Sequence, residues 1–381
     1  MIKILDSTLR EGGQTPGVYF DTHIKIAITE LLDDIGVNII EAGHPAVSNQ
    51  IYHSVSEMTK KCSHAIIGAH SRCLKKDVNL AIECKVKFLG IFYCVSDERL
   101  NLYSKNLNQI IELIVEMIKY AKDKDPGLII RYTPEDTVRS PWKNVIEVAT
   151  EAVRAGADII SIADTTGYMI PGTDRSMYDY VKKLKDELAD NNLYPEIAVH
   201  CHNDRGLALA NALDGYKAGA DIIDTSVMGL GERAGIVDLA TLLTVLATDF
   251  NERNRWRLKK IPELYNFVSY YSGIPIPLNL PITGKHAFTH CAGIHTQATI
   301  KNPFHYQSLD PELFGRKSEI SLDHMSGISS IKYSLEKIGE DGLKDDIISE
   351  VLSKVKDIGQ KGRCVSLSEL KYIVRSLKEY N

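Results

Sequence analysis

Two kinds of hydrophobic pattern alternate along the first two thirds of this chain. Short apolar, β-rich runs are separated by segments with apolar residues every three to four positions, which is typical of strands alternating with amphipathic helices. The predicted strands lie at about 2–8, 37–42, 65–69, 87–93, 128–133, 158–163, 195–200 and 221–226, and the predicted helices include 21–35, 104–122, 141–155, 173–189, 206–218 and 237–249. Eight strand–helix units in roughly 250 residues match a (β/α)₈ TIM barrel in number and size.

The junctions between these units agree with a barrel. Ala-Gly-Ala-Asp occurs at 155–158 and at 218–221, each time between a predicted helix and a predicted strand, where glycine commonly ends a helix. An open doubly wound sheet is the alternative arrangement of such units. No Gly-x-Gly-x-x-Gly follows the first predicted strand, so the predicted fold class is α/β with a closed barrel.

The pattern changes after about residue 255. A predicted helix at 258–271 precedes a proline-rich passage at 273–284, which can form neither an ordinary helix nor a central strand. Charged helical segments follow at 330–359 and 366–379. We predict a catalytic barrel at 1–255, a connector with a first C-terminal subdomain, or lid, at 256–325, and a helical subdomain at 326–381.

Composition and charge limit the class of protein. The 381 residues are 44% hydrophobic with a net charge of −5, and no basic tract indicates a nucleic-acid partner. The seven cysteines include no Cys-x-x-Cys pair, which favours reduced thiols. The first strand begins too early for a signal peptide, and no apolar run approaches the roughly 20 residues of a membrane span. We expect a cytoplasmic protein that binds neither membrane nor nucleic acid.

A pair of histidines follows the apolar run Ile197–Val199. Because side chains alternate along a strand, His200 and His202 point to the same side. Two histidines with ordinary polar partners would show the same spacing, but a carboxylate also follows the first predicted strand, at Glu11. Two imidazoles and a carboxylate form a half-shell for Zn²⁺, Mg²⁺ or Mn²⁺ with positions open for a substrate. The sequence therefore predicts a divalent metal site.

Polar residues are concentrated at or just after the carboxyl ends of the predicted strands. In a barrel these ends converge on one mouth, where barrel enzymes carry their chemistry. Solvation of loops does not explain so many polar residues at equivalent places. The residues are Arg10, Glu11, His44, His70, Arg131, Thr133, Thr165, His200, His202 and Glu232.

Three motifs, in this order, resemble one enzyme family. They are Asp6–Gly12 (DSTLREG) with Gln14, His200–Asp204 (HCHND) and Gly229–Gly235 (GLGERAG). Together they resemble the metal-dependent enzymes that condense acetyl-CoA in a Claisen reaction, a family that includes isopropylmalate, citramalate and homocitrate synthases. The resemblance covers nearly the whole chain, because the region from Pro281 to the end is similar to the family's C-terminal subdomains.

Within that family, three places resemble the homocitrate synthases. Arg131 stands where isopropylmalate synthases typically carry a glutamate, and Ile236 where they typically carry an asparagine. The passage Glu41–Ser48, together with Tyr271–Pro275, is most similar to the archaeal form. This resemblance implies condensation of acetyl-CoA with 2-oxoglutarate to homocitrate and CoA, the first step of the α-aminoadipate route to lysine.

The resemblance also implies the roles of several residues. Glu11, His200 and His202 would hold Mg²⁺, Mn²⁺, Co²⁺ or Zn²⁺, and Arg10 would lie beside the alkoxide that develops on the ketone. Acetyl-CoA is the co-substrate and lysine an expected feedback inhibitor. The implied substrate-binding residues are Arg10 and Gln14, with His70, Arg131 and Thr133 at the distal carboxylate and Thr165 at the C1 carboxylate.

Proton transfer is assigned to a residue beyond the barrel. His295, with Glu232, is the candidate catalytic base or proton relay. Some relatives carry a tyrosine five residues after this histidine, where this chain has Ile300, so the partner of His295 stays open. Because the proline-rich passage is stiff, we expect delivery across a homodimer, with residues 285–300 of one subunit covering the barrel mouth of the other.

Alternatives remain at the level of residues and of function. Glu232 and Arg233 could form an ion pair that holds their loop, and Asp164 and Asp204 are expected to be hydrogen-bond scaffolding. The same chemistry could act on another 2-oxo acid, either on oxaloacetate to give citrate, or on an acceptor such as pyruvate as an isopropylmalate or citramalate synthase. A remote alternative is an inactive metal-binding barrel with a regulatory role.

Overall fold

The computed structural model describes residues 1–62, 64–250, 252 and 255–380. Eight parallel strands form a closed barrel in sequence order, and the first strand pairs with both the second and the eighth. The predicted barrel is confirmed, and the open sheet is excluded because the ring closes. The strands are β1 Lys3–Asp6, β2 Ile39–Glu41, β3 Ile66–Arg72, β4 Phe88–Cys94, β5 Ile129–Glu135, β6 Ile159–Asp164, β7 Glu196–Cys201 and β8 Ile222–Thr225.

Helices connect the strands and follow the local capping signals. The first helix begins after Asp21, whose side chain accepts a hydrogen bond from the Ile24 amide at 2.9 Å, and ends at Gly36, which has a φ of 102°. The helix predicted at 104–122 begins at Leu107, where Asn106 forms a capping box, and a separate short helix at 97–102 ends before Ser104, which has a positive φ. The helices are α1 Thr22–Ile35, α2 Asn49–Met58, α3 Lys75–Glu83, α4 Asp97–Leu102, α5 Leu107–Lys124, α6 Trp142–Arg154, α7 Met177–Asp190, α8 Ala208–Lys217, α9 Leu239–Asp249 and α10 Ile261–Ser272.

Apolar side chains fill the interior near the amino ends of the strands. Six buried residues from six different strands pack together there, and each buried Leu, Ile or Phe contributes about 1.5–3 kcal/mol. This plug closes one end of the barrel, so polar groups can collect only at the carboxyl end. The six are Leu5, Ile39, Phe88, Ile159, Ala198 and Ile222.

The chain divides into two compact units, residues 1–275 and 276–381. The first unit therefore extends beyond the predicted barrel boundary at 255 and includes α10. That helix is fixed to the barrel because Tyr265 is fully buried, with its hydroxyl donating to the Asp238 carboxylate at 2.6 Å and accepting from the Ala240 amide at 2.7 Å. The proline-rich passage at 273–284 forms turns.

The second unit is mainly helical, with α11 Gly293–Lys301, α12 Ile328–Lys337, α13 Asp345–Gly359 and α14 Leu367–Tyr380. Two short parallel strands pair beside them, β9 Thr289–His290 and β10 Glu319–Ile320. The helical segment predicted at 330–359 is two helices, because Gly339 adopts a left-handed conformation after α12. The core includes Ile331, Leu335, Val351, Val355, Leu370 and Val374.

Two features of the described residues concern membranes and disulfides. None of the helices that they form is both long and apolar enough to cross a membrane. All seven cysteines are free thiols, as predicted from their spacing.

Candidate active site

One cavity of about 490 Å³ lies at the carboxyl ends of the strands. All the polar residues that the sequence placed at strand ends contribute to its lining, and so does Gln14. Their predicted convergence on one mouth is confirmed. The lining residues with a predicted role are Arg10, Glu11, Gln14, His70, Arg131, Thr133, Thr165, His200, His202 and Glu232.

The three predicted metal ligands lie together in this cavity. Glu11, His200 and His202 are buried, and one ligand atom of each lies within 4.8 Å of the others. The Nε2 atoms of His200 and His202 are 3.3 Å apart because both side chains leave the end of β7 on the same side. Two imidazole nitrogens and a carboxylate oxygen converging on one point are a donor set that fits a divalent cation.

The surroundings hold these groups in the form that binds metal. The Nδ1–H of His200 donates to Asp224 at 3.0 Å, which leaves the lone pair of Nε2 for a ligand. Burial, with His200 beside it, lowers the pKa of His202 to about 3. Burial alone would raise the pKa of Glu11, but Arg10 and His200 lower it to about 2. At neutral pH Glu11 is therefore a carboxylate and His202 a neutral imidazole.

Arg10 lies between the metal ligands and the rest of the cavity. Its Nε donates to the Glu41 carboxylate at 2.6 Å, and its Nη1 contacts Glu11 and, at 3.4 Å, Gln14. Burial opposes the charge of Arg10, but Glu41 and Glu11 raise its pKa above the ordinary value. A guanidinium fixed in this way is preorganised to stabilise negative charge on a bound substrate.

Glu41, at the end of β2, organises this part of the cavity and had no predicted role. Its buried carboxylate accepts hydrogen bonds from Arg10, from the Ser7 hydroxyl at 2.7 Å, from His70 Nδ1 at 3.1 Å and from Arg131 at 3.3 Å. Although burial would raise its pKa, Arg10 and His70 hold it well below the ordinary value. The sequence carries a signal for this role, because Glu41 lies inside the apolar strand Ile39-Ile40-Glu41-Ala42. A carboxylate in such a strand is costly to bury unless cations surround it.

Arg131 forms the floor of the cavity together with Asp224. Its Nη1 lies 2.9 Å from both carboxylate oxygens of Asp224, on β8, and its Nη2 contacts Glu41. The side chain is only 2% exposed, and its Nε has no partner among the described residues. Two carboxylates thus already neutralise the guanidinium that was expected to bind the distal carboxylate of the substrate. That role of Arg131 stays a prediction.

The other predicted substrate contacts, two at the distal carboxylate and Thr165 at the C1 carboxylate, differ in their partners. His70 donates from Nδ1 to Glu41, and its ring stacks on that of Phe92 with the ring centroids 4.5 Å apart. Burial and Arg10 lower the pKa of His70 to about 4, so its Nε2 offers a lone pair and not the donor that a carboxylate needs. The Thr133 hydroxyl is buried without a partner among the described residues, and the Thr165 hydroxyl accepts from the Asp136 amide at 2.9 Å.

The loop after β8 is not held by the Glu232–Arg233 ion pair that was the alternative to a catalytic role of Glu232. Arg233 donates instead to Asp204, at 2.8 and 3.0 Å, and to the Thr165 carbonyl. Glu232 is exposed at the cavity rim, and its backbone amide lies 3.4 Å from Glu11. Asp164 accepts from two backbone amides, at 2.6 and 3.0 Å, which agrees with a scaffolding role.

Two further groups in the cavity wall had no assigned role. Lys25, on α1, is only 7% exposed, and its ammonium makes a single hydrogen bond, to the Ala42 carbonyl at 3.5 Å. Burial lowers its pKa to about 8. His44, just after β2, lies 3.0 Å through Nε2 from Asp77, a buried carboxylate that Arg72 also contacts, at 2.7 and 3.2 Å.

His295 belongs to the second unit. It lies on α11, exposed, and its ring packs against Tyr306 with centroids 4.2 Å apart. Ile300, on the same helix, is also exposed. The role of His295 in proton transfer therefore stays a prediction.

Comparison with known families divides the chain in the same way. Residues 1–268 match the family model described as HMGL-like, and residues 282–363 match the one described as homocitrate synthase post-HMGL domain-like. Solved lyases share the barrel. The hydroxymethylglutaryl-CoA lyase of Pseudomonas aeruginosa covers 72% of this chain and 94% of its own at 21% identity, with a TM-score of 0.60. The HMG-CoA lyase of Brucella melitensis gives 0.58 at 23% identity, over 71% of this chain and 99% of its own.

Curated relatives cover nearly the full length. Proteins named homocitrate synthase from Pyrococcus horikoshii and Pyrococcus abyssi are 42% identical over 93% of this chain and 94% of their own. The homocitrate synthase of Sulfurisphaera tokodaii is 41% identical over 93% of this chain and 76% of its own. The chain therefore belongs to the homocitrate synthase family and is an enzyme of the acyl-CoA-dependent transferase type.

Proposed function

We propose that this enzyme condenses acetyl-CoA with 2-oxoglutarate and that water then hydrolyses the thioester, which gives homocitrate and CoA, the first step of the α-aminoadipate route to lysine. The observation that carries the proposal is the cluster of Glu11, His200 and His202 with Arg10 beside it in one cavity. This arrangement combines a divalent-metal donor set with a fixed cation, as the polarisation of a ketone requires. The names of the archaeal relatives support 2-oxoglutarate as the acceptor.

The residues of the cavity divide the work of binding and polarisation. Glu11, His200 and His202 would hold Mg²⁺, Mn²⁺, Co²⁺ or Zn²⁺, which when bound supplies Lewis acidity toward the ketone and the C1 carboxylate. Arg10 stabilises the negative charge that develops on the ketone oxygen as the new carbon–carbon bond forms. The guanidinium does not have to reorganise, because Glu41 holds its Nε. The remaining acceptor contacts are proposed for Gln14, His70, Arg131, Thr133 and Thr165.

Proton transfer is proposed for His295 of a second subunit, with Glu232 at the cavity rim as a partner. The methyl group of acetyl-CoA must lose a proton to a base within hydrogen-bonding reach. Apolar side chains beside His295 support a covered surface there, because Ile294 is 77% exposed and Phe304 and Met325 are also exposed. We therefore propose a homodimer in which residues 285–300 of one subunit cover the cavity of the other.

Two finer proposals rest on membership of the family alone. Lysine, the end product of the route, is proposed as a feedback inhibitor, and the cytoplasm is proposed as the place of the reaction. Inhibition of CoA release by millimolar lysine, measured at a 2-oxoglutarate concentration near KM, tests the first of these.

The function is tested by release of CoA from acetyl-CoA over a panel of acceptors. The panel contains 2-oxoglutarate, oxaloacetate, pyruvate and 2-oxoisovalerate, each with added divalent metal and with a chelator. We expect the highest kcat/KM with 2-oxoglutarate, and loss of activity on chelation. A preference for another acceptor would move the enzyme to a different branch of the family. No release with any acceptor would favour the inactive regulatory barrel.

A further inference from the structure

Two arginines beside the cavity flank the ring of one tyrosine. Tyr168 lies in the loop after β6, and the guanidinium carbons of Arg175 and Arg205 are 4.0 and 5.1 Å from its ring centroid. Arg175 comes from the same loop and Arg205 from the loop after β7. We call these three residues the rim cluster. It lies next to the cavity, because Thr165 and His202, which precede Tyr168 and Arg205 by three residues, both line the cavity wall.

Hydrogen bonds of the main chain fix the loop that carries the ring. The Asp164 carboxylate accepts from the amides of Tyr168 and Met169, at 2.6 and 3.0 Å. The Ile170 amide donates to the Arg175 carbonyl at 3.0 Å, which returns the chain to the side of Tyr168. The backbone therefore sets the positions of the ring and of one guanidinium before any ligand binds.

The loop after β7 is held against the same loop. Arg205 donates from Nη1 to the Gly167 carbonyl at 2.7 Å. Gly167 has a φ of 57°, and a β-carbon there would lie 2.9 Å from both the amide nitrogen and a carboxylate oxygen of Asp204, so only a glycine lets the two loops touch. Arg233 joins them as well, because it donates to Asp204 and to the Thr165 carbonyl. These contacts keep the second guanidinium beside the ring.

The charges of the rim cluster have no counter-charge. Neither Arg175 nor Arg205 forms an ion pair with a carboxylate of the described residues, and the Tyr168 hydroxyl has no hydrogen-bond partner among them. The face of the ring attracts each cation only weakly at an exposed site, and it accepts few of their N–H groups. Two guanidiniums beside one ring repel each other, and an anion that contacts both removes that repulsion. Other arginines at the same end of the barrel are already paired, Arg72 with Asp77, Arg99 with Glu135, Arg139 with Asp136 and Arg233 with Asp204.

We propose that the two guanidiniums and the hydroxyl of the rim cluster bind a phosphate group. A guanidinium presents paired N–H donors that match the oxygens of a phosphate, and the hydroxyl adds another donor. One source of the phosphate is acetyl-CoA, and this part of the inference rests on the proposed function. The thioester must reach the metal ligands, whereas the pantetheine arm keeps the phosphates outside a cavity of about 490 Å³, in which their charge would be costly to bury. A free phosphorylated metabolite is the other source.

The first test compares acetyl-CoA with S-acetylpantetheine, which has the same thioester but neither phosphates nor nucleotide. KM for each donor is measured at saturating 2-oxoglutarate in the wild type and in the double variant Arg175→Gln/Arg205→Gln. With acetyl-CoA, KM should rise about 10- to 100-fold, because losing a hydrogen bond to a charged group costs on the order of tenfold. The kcat should not change, and kcat/KM with S-acetylpantetheine should be the same in both proteins. Arg154→Gln, which removes an exposed arginine at the end of α6, is the matched control and should leave both KM values unchanged.

Two conservative variants keep the loops intact. Tyr168→Phe removes the hydroxyl but keeps the ring between the guanidiniums, and KM for acetyl-CoA should rise about 3-fold. Arg205→Lys keeps the charge but loses the paired donors, so its KM should lie between those of the wild type and the double variant. Should the double variant not fold, these two variants decide. An equal loss with acetyl-CoA and S-acetylpantetheine would overturn the proposal, because the substitutions would then disturb the cavity itself.

A second measurement does not depend on turnover. Inorganic phosphate at millimolar concentration should raise the Tm of the wild type, relative to chloride at the same ionic strength, but not the Tm of the double variant. This result together with an unchanged KM for acetyl-CoA would assign the rim cluster to a free phosphorylated metabolite. If the double substitution changed neither KM nor the effect of phosphate on Tm, the proposal would be overturned. A wild type that releases no CoA would instead contradict the proposed function, and the measurement with phosphate would still decide whether the rim cluster binds this anion.

Discussion

The part of the cavity formed by Glu11, His200 and His202, called here the metal end, offers lone pairs, whereas the part lined by Lys25, called the tail end, offers an ammonium. Glu11, His200 and His202 converge on one point, and neighbouring charges keep Glu11 ionised and burial keeps His202 neutral. Lys25 is almost as deeply buried, yet a single backbone carbonyl is its partner. One end therefore gathers lone pairs around one point, whereas the other carries a buried positive charge with no ion-pair partner among the described residues.

The region between the two ends explains why they can differ. Arg10 and Arg131 carry positive charge into the centre of the barrel, and Glu41 and Asp224 neutralise it there. Because these four charges satisfy one another, a buried charge without a partner becomes informative about the ligand.

The largest expected effect is at the metal end. His202→Ala removes one of the protein ligands of the metal. Bound metal and activity should each fall by more than the roughly 10- to 100-fold that is typical when only a hydrogen-bond partner of a metal ligand is removed. Metal content after dialysis and CoA release with 2-oxoglutarate are the measurements. The far-UV circular dichroism spectrum should not change, because the barrel core lies at the other end of the strands.

Asp224→Asn provides the graded comparison for that variant. It leaves His200 in place but weakens the acceptor of its Nδ1–H, so metal affinity should fall by about 10- to 100-fold. His23→Ala, on the exposed face of α1, is the control and should bind metal like the wild type. Full activity of His202→Ala in a metal-free preparation would refute the assignment of the metal end.

The next effect concerns proton transfer. His295→Ala should lower kcat by about 10²–10⁴, the usual range for the loss of a positioned acid or base, while metal binding stays unchanged. His286→Ala, another exposed histidine of the second unit, should retain activity. Both ends of the cavity lie in the first unit, whereas His295 lies in the second. His295→Ala therefore tests the chemistry that the second unit supplies and leaves the binding groups of the cavity in place.

The same variant tests the proposed homodimer. Mixing His295→Ala with Arg10→Ala should restore partial activity, because a heterodimer contains one cavity with an intact Arg10 covered by an intact His295. The measurement is CoA release after subunit exchange has been verified by mass spectrometry of differently tagged subunits. No rescue after exchange, or full activity in a monomer, would exclude delivery from the partner.

The metal end could be predicted from the sequence because its signals are local. His200 and His202 are two residues apart on one strand, and Glu11 follows another strand whose carboxyl end must meet the first in a barrel. Glu41 and Asp224 were missed because each lies inside an apolar strand. Their partners come from other strands, so only the closed barrel brings them together.

Lys25 was missed for a related reason, although a signal was present. A lysine in a helical segment normally lies on the solvent side, but Lys25 shares the buried stripe of α1 with Ile28, Leu32 and Ile35, at spacings of three, four and three residues. That stripe predicts a buried position. It does not predict that a cavity, rather than an acidic partner, faces the ammonium, because the cavity wall comes from the loop before α1 and from the segment after β2.

The last expected effect is on stability and not on activity, and it contrasts two buried carboxylates of this barrel. Glu41 is surrounded by cations, and its pKa lies well below the ordinary value. Asp6, at the end of β1, accepts a hydrogen bond from the Thr8 amide at 2.9 Å through one carboxylate oxygen. The other oxygen has no partner among the described residues. Burial raises the pKa of Asp6 from 3.8 to about 7. The same burial thus favours the proton on Asp6, while the cations around Glu41 favour its ionised form.

This contrast predicts opposite dependences of stability on pH. Between about pH 4 and 7 an unfolded chain releases the proton of Asp6 while the folded protein keeps it, so stability is lost as pH rises, by on the order of 4 kcal/mol at most. Asp6→Asn removes this titration. The free energy of unfolding of the variant, measured in urea and relative to that of the wild type, should therefore increase from pH 4.5 to pH 8. Glu41 stabilises the fold above its unfolded pKa and loses that effect as pH falls, so Glu41→Gln should be most destabilising at the higher pH. If the wild type and Asp6→Asn gave parallel curves, burial without a cation would not distinguish Asp6 from Glu41.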